Sequence, residues 1–140
     1  MGKIRDLVTK GAAFYDQSDA EGMTGIYADD AVVTAPPGVR AEGRQAILQY
    51  WTQLIASFSD KAGEVGRSAE TEDTYFGEIT FQGTNTGDLA MPDGTTIPAT
   101  GKPVEVRGVE FARYRDGKLV EHNMYWDTLV MMRQLGLLPG

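Results

Sequence analysis

Asp116-Gly117-Lys118-Leu119-Val120-Glu121-His122-Asn123-Met124-Tyr125-Trp126-Asp127 is the stretch on which the fold turns. Asp-Gly between two β-rich runs is the strongest short-range signal for a two-residue hairpin, because both central residues need φ > 0. The strand that it opens, Leu119 to Trp126, carries the chain's only histidine. Val120, His122, Met124 and Trp126 share one face of it by the period of two. At Asp127 the period changes to helical, which predicts a last helix over Thr128 to Leu135, ended by Gly136 as a C′ residue. Asp127 has two readings: the cap of that helix, or a carboxylate of a pocket. His122 likewise reads as a core histidine or as a site residue.

Working backwards, Pro103 to Arg115 is the partner strand of this hairpin. One face carries Val104, Val106, Glu110, Ala112 and Tyr114, the other Arg107, Val109, Phe111 and Arg113. Neither face is cleanly polar, so both want cover, and a homodimer through the outer face of the sheet is expected. Thr74 to Gly87 is a further strand, with Tyr75, Ile79, Phe81 and Asn85 on its apolar face. An amide there must find partners or meet a ligand. Ala62 to Glu72 alternates weakly, as a bent or edge strand does. The Pro-punctuated segment Asp88 to Gly101 is a long hairpin connection, and such loops are commonly functional rims.

The first half of the chain is mostly helical. Ile4, Leu7, Val8, Ala12, Phe14 and Tyr15 recur at helical spacing. Ser18-Asp19-Ala20-Glu21 has capping-box form and predicts a second helix to about Ala28. Ala31 to Ala35 is a short strand that Pro36-Pro37-Gly38 ends. From Gly43 a third helix aligns Ile47, Tyr50, Trp51, Leu54, Ile55 and Phe58 along one stripe. Helices first and a curled sheet afterwards give an α+β fold, residues 1–140 forming one domain. The expected architecture is a curved antiparallel sheet wrapped around three helices, a cone with an internal cavity.

Composition restricts the partners. The chain has 140 residues, 41% apolar and 24% charged, as a globular protein does. Thirteen basic against twenty acidic side chains leave a net charge of −7. Nucleic acid and anionic membrane surfaces are therefore disfavoured. No apolar run reaches the roughly 18 residues of a spanning helix, and Met1 to Lys10 lacks a signal-peptide core. With no cysteine there are no thiolate nucleophiles or Cys-ligated metals. One His and no tight acidic cluster make no credible metal set. No Gly-x-Ser-x-Gly elbow occurs. A cytoplasmic location is the plain inference.

Several words of the sequence resemble a known group. Tyr27-Ala28-Asp29-Asp30-Ala31-Val32 followed by Gly43-Arg44-Gln45-Ala46-Ile47 resembles the opening of nuclear-transport-factor-2-like cone folds. Phe81-Gln82-Gly83-Thr84-Asn85-Thr86-Gly87, Ile97-Pro98-Ala99-Thr100-Gly101-Lys102, Asp116 to His122, and Asp127 with Gln134-Leu135-Gly136 resemble the SnoaL-like polyketide cyclase and ester cyclase branch. The resemblance spans nearly the whole chain. It implies a cavity-bearing fold, no cofactor, frequent dimers and a hydrophobic small-molecule substrate. In characterised cyclases of this kind an aspartate near the end of the sheet is the acid/base for an aldol closure. By position that role falls on Asp127.

Two departures bear on chemistry. Asn85 stands where members often carry His, and an amide orients a carbonyl but exchanges no proton near neutral pH. Ala35 stands where the sister ketosteroid isomerases place their base. The catalytic candidates are thus Asp127, whose base strength an apolar cavity would raise, and His122. Strict alternation puts residues 122 and 127 on opposite faces, so their joint action needs a bulge or the end-of-strand turn. Glu110 is a second carboxylate, unless it pairs with Arg107, Arg113 or Arg115. Asn85, Trp51, Tyr15, Tyr27, Phe81 and Trp126 are candidate pocket residues, with core packing as the alternative for the aromatics. The expected activity is cofactor-independent cyclisation or isomerisation. A non-catalytic ligand-binding or dimerisation module and an epoxide-hydrolase-like reaction are the alternatives.

Overall fold

The first helix, α1 (Lys3–Asp16), buries Ile4, Val8, Gly11 and Tyr15, one residue per turn along one stripe. Its first backbone amides are satisfied from far away: the Glu70 carboxylate accepts from Ile4 N at 3.1 Å and Arg5 N at 3.2 Å. The computed structural model describes residues 3–138. The second helix, α2 (Ala20–Thr24), is shorter than the capping box suggests. Asp19, not Ser18, is its cap, accepting from Gly22 N at 2.8 Å, and Gly25 ends it. Ser18 takes a left-handed turn instead, with φ 58°.

From Tyr27 the chain is already extended. Strand β1 (Tyr27–Ala35) turns at Pro36 to Gly38 into β2 (Val39–Glu42), a short edge strand that the sequence reading did not contain. Gly43 (φ 84°) starts α3 (Arg44–Ser57), which lays Ile47 and Trp51 against the sheet, as its stripe predicts. Then follow β3 (Ser59–Glu70), β4 (Thr74–Thr84), a small ribbon β5 (Leu89–Ala90) and β6 (Thr96–Ile97), β7 (Pro103–Arg115) and β8 (Lys118–Trp126). Asp116 (φ 53°) and Gly117 (φ 76°) both adopt positive φ in the turn between β7 and β8, as Asp-Gly requires. Helix α4 (Thr128–Gln134) closes the chain, with Gly136 at φ 75° beyond it.

The six-stranded sheet runs β2-β1-β8-β7-β4-β3. Four junctions are antiparallel, but β1 and β8 run parallel, which corrects the expectation of an antiparallel sheet throughout. The physical reason is connectivity: no hairpin joins β1 to β8, so no turn dictates their sense. Bulges in β3 opposite β4 and near Tyr114 opposite β8 bend the sheet into a half-closed roll. The bulge by Tyr114 buries both Leu119 and Val120, breaking the alternation once.

Two clusters form the interior. The larger joins α1, α2 and α3 to the concave face of the sheet through Tyr15, Tyr27, Trp51, Tyr75 and Leu119. The smaller gathers Phe58, Leu89, Val104, Val106 and Leu135 at the end near α4. Among the described residues no helix is long and apolar enough to cross a membrane.

Candidate active site

The concave face of β7 carries Val104, Val106, Glu110, Ala112 and Tyr114 inward, in the alternation read from the sequence. In the β7–β8 register Ala112 lies opposite His122 and Glu110 opposite Met124. Glu110 and His122 are thus diagonal neighbours on one face, within reach of long side chains. The small Ala112 leaves the imidazole room to lean across. His122 Nε2 meets Glu110 Oε1 at 2.8 Å, with both side chains buried. Glu110 makes no pair with Arg107, Arg113 or Arg115; Arg113 bonds Glu121 and Arg115 bonds Asp30.

The other imidazole nitrogen is also engaged. Tyr27 Oη lies 2.7 Å from His122 Nδ1, and Trp51 Nε1 donates to Tyr27 Oη at 3.3 Å. Donor chemistry fixes the polarity of this row. The Glu110 carboxylate only accepts, so a neutral imidazole donates to it from Nε2 and accepts at Nδ1 from the Tyr27 hydroxyl, whose oxygen in turn accepts from the indole N–H. The imidazole proton then sits on Nε2 and is donated to the Glu110 carboxylate. All four groups are satisfied in one arrangement, with one exception. Glu110 Oε2 is buried and has no hydrogen-bond partner.

This orphan oxygen belongs to a residue in the wall of a cavity of about 130 Å³. The wall is otherwise almost wholly apolar: Val8, Ala12, Leu54, Ile79, Phe81, Val106, Met124 and Met131 contribute, with Trp51 and Trp126. Tyr15 also lines it, stacked edge-on against Trp51 and Phe81 at ring separations of 6.0 and 5.5 Å. Its hydroxyl is a second buried polar atom without a partner. Burial pushes the phenols of Tyr15, Tyr27 and Tyr114 far up, so each is a neutral donor at physiological pH. Opposite Glu110 on β4 stands Gly77, where any Cβ would run into the Tyr75 ring, so that ring closes this side of the core.

The structure separates the sequence candidates. Glu110, His122, Trp51, Tyr15, Phe81 and Trp126 line the cavity together. Tyr27 stands behind the wall as the support of His122 rather than as a lining residue. Asp127 is corrected: it is exposed, outside the cavity lining, and its Oδ1 accepts from Val130 N at 3.1 Å as the cap of α4. The strand ends before Asp127, so its side chain follows the helix and not the concave face.

Asn85 is corrected too. It is fully buried, but its amide donates to Ser57 O (3.0 Å) and Gly87 O (2.9 Å), and its Oδ1 accepts from Thr100 N and Oγ1. All its capacity goes to stapling the 85–102 connection to the end of α3. That connection contributes nothing to the cavity lining, so it is no rim of this pocket. Tyr114 and Met124 were missed as lining residues; their signal was the shared face with Glu110 and His122. Among the described residues no group of three His, Asp or Glu side chains gathers as a metal site.

A family model described as SnoaL-like domain matches residues 8–122. No curated protein matches the chain. Among solved structures, IdmH from Streptomyces antibioticus, a candidate polyketide cyclase, is 27% identical with TM-score 0.74, covering 96% of this chain and 99% of its own. TsrD from Streptomyces laurentii is 21% identical with TM-score 0.81, covering 96% of both chains. A candidate SnoaL-like polyketide cyclase from Jannaschia sp. CCS1 is 17% identical with TM-score 0.77, covering 94% and 92%. The last two likenesses are of fold alone.

Proposed function

The chain belongs to the SnoaL-like domain family, and from that premise we propose that it is a cofactor-independent enzyme of the cyclase or isomerase type. Its substrate is an apolar carbonyl compound, and Glu110 with His122 supplies the acid/base chemistry. The observation that carries this reading is the 2.8 Å contact of Glu110 with His122 at the wall of an apolar cavity, with the second carboxylate oxygen unpartnered. The candidate-cyclase description of the 27%-identical IdmH supports the same reaction class.

The steps follow from those positions. Glu110 Oε2 takes the proton α to a substrate carbonyl, and the developing enolate oxygen accepts a hydrogen bond from the Tyr15 hydroxyl. His122 holds Glu110 Oε1 and keeps the carboxylate aimed. In an aldol closure the enolate carbon bonds to a second carbonyl carbon, and the new alkoxide takes the proton back from Glu110. In an isomerisation the same proton returns to another carbon. The walls hold the reacting carbons close, and such positioning is worth several kcal/mol, up to about 7–11. General acid/base transfer contributes about 10²–10⁴-fold.

The test begins with a thermal-shift screen of polycyclic ketones, lactones and epoxides, followed by turnover of each ligand found. Glu110→Gln keeps the shape and the bond to His122 while removing the base. It should lower kcat by about 10² or more while ligand still binds. Turnover by Glu110→Gln at near wild-type rate would sink the assignment. Ligands that bind wild type without any turnover would make the cavity a binding site only.

A further inference from the structure

A second hollow opens between α1, α2 and the β7–β8 turn, with a volume of about 270 Å³. Leu7, Phe14, Ile26 and Tyr114 give it an apolar floor. The charged side chains that line it are Lys10 and Lys118, and no carboxylate does, although the chain carries a net charge of −7. The Lys118 ammonium is held in place by donating to Gly25 O at 2.7 Å, which leaves its other N–H groups available. Lys10 makes no salt bridge among the described residues. Three glycines complete the lining, and at Gly22 a Cβ would run into the Phe14 ring and the Asp19 carboxylate.

Its position is informative. Ile26 and Tyr114 line this hollow and also the main cavity. The two spaces therefore adjoin at these two side chains, one flexible and one aromatic.

We infer that this cleft is a second binding site, which takes the anionic head of an elongated apolar ligand whose body passes Ile26 and Tyr114 into the main cavity. This rests on the reading of the cavity as a substrate site and names the class of substrate: an apolar carbonyl compound with a carboxylate or similar anion at one end. The acidic surface as a whole repels anions. A preference for the charged ligand therefore reports on the two lysines and not on the protein's general field. Exposed ion pairs weaken with salt, so the preference belongs to low ionic strength.

The probes are phenylbutyrate and its uncharged isostere phenylbutyramide, titrated by NMR against wild type, Lys10→Met, Lys118→Met and the double variant at low salt. Wild type should bind the acid about tenfold more tightly than the amide, as two partly screened ion pairs give. Each single variant should lose part of that preference and the double variant all of it. Lys118→Met also loses the contact with Gly25; if it does not fold, Lys10→Glu alone decides, and must abolish the preference. Equal binding of acid and amide by wild type, or a preference surviving in the double variant or in Lys10→Glu, overturns the inference. Glu110→Gln separates it from the catalytic reading. A rate lost in that variant with no acid preference in wild type defeats only the cleft, and an acid preference beside an unaffected rate defeats only the base.

Discussion

Tyr27 Oη and His122 Nδ1 lie 2.7 Å apart although 95 positions separate them in sequence. The contact joins β1 to β8 across the parallel seam of the sheet and gives Nδ1 a donor while Nε2 meets Glu110. Tyr27→Phe removes the phenol from two partners at once, leaving Trp51 Nε1 and His122 Nδ1 buried without their bonds. The expected loss of stability is about 1–3 kcal/mol, measured by urea unfolding. The same variant removes the support that holds the imidazole against Glu110, so kcat should fall as well while ligand still binds. A variant with wild-type stability and an unchanged rate would show the row to be ornamental.

Asp127→Asn should leave turnover within about twofold of wild type, because an amide oxygen still caps α4 and the residue stays outside the cavity. Asp127→Ala should lower stability by about 1 kcal/mol with the same small effect on rate. A hundredfold fall in kcat for Asp127→Asn would restore this residue as the base and displace Glu110.

Asn85→Ala removes four hydrogen bonds: those its amide gives to Ser57 O and Gly87 O, and those its Oδ1 takes from the Thr100 amide and hydroxyl. A cost of about 3 kcal/mol is expected in chemical denaturation. Ligand affinity in the surviving folded fraction should be unchanged, since the residue does not face the cavity.

Alkaline pH should unfold the protein. Tyr15, Tyr27, Tyr50, Tyr75 and Tyr114 all have phenol ionisation pushed above the ordinary value of 10.0, first of all by burial. With the folded value above the unfolded one, their contribution is fully present below pH 10. Above it the unfolded chain releases protons that the folded one keeps, and stability falls. Melting temperature should drop steeply above that pH, and phenolate absorbance from these five rings should appear together with loss of tertiary signal. Their ionisation well before unfolding would contradict the burial described.

The outer face of the sheet exposes Phe76 and Tyr125, each 52% accessible, with Phe111 set edge-on to Phe76 at 6.4 Å. A homodimer through this face is expected in sedimentation at micromolar concentration. Phe76→Glu together with Phe111→Glu should return it to monomers, since neither residue lines the cavity.

The parts of this molecule that local chemistry dictates were legible in the sequence. Asp116-Gly117 announced the turn, and period two then gave the inward face of β7 and put Glu110 in the concave wall with Val106 and Tyr114. The spacing of Ile47 and Trp51 gave the face of α3. What depends on distant neighbours was not legible. No residue in Tyr27–Ala35 says that β8 will lie beside it, so the partnership of Tyr27 with His122 had no signal. Residue type could not tell a capping aspartate from a catalytic one at Asp127, because both call for a short carboxylate at the end of a strand. At Asn85 the alternation continued past the last residue of the strand, where the amide serves the loop instead of a pocket.

The placement of β8 between β1 and β7 also governs the order of assembly. During synthesis, everything up to Arg115 can emerge while the central strand of the sheet is still missing. The β2–β1 ribbon and the β7–β4–β3 sheet would then each hold an open edge, the hazard through which chains pair with one another. His122 arrives on the strand that fills both gaps. Tyr27, Trp51 and Glu110 are all made before the group that connects them, so the buried row is completed only as the sheet itself closes.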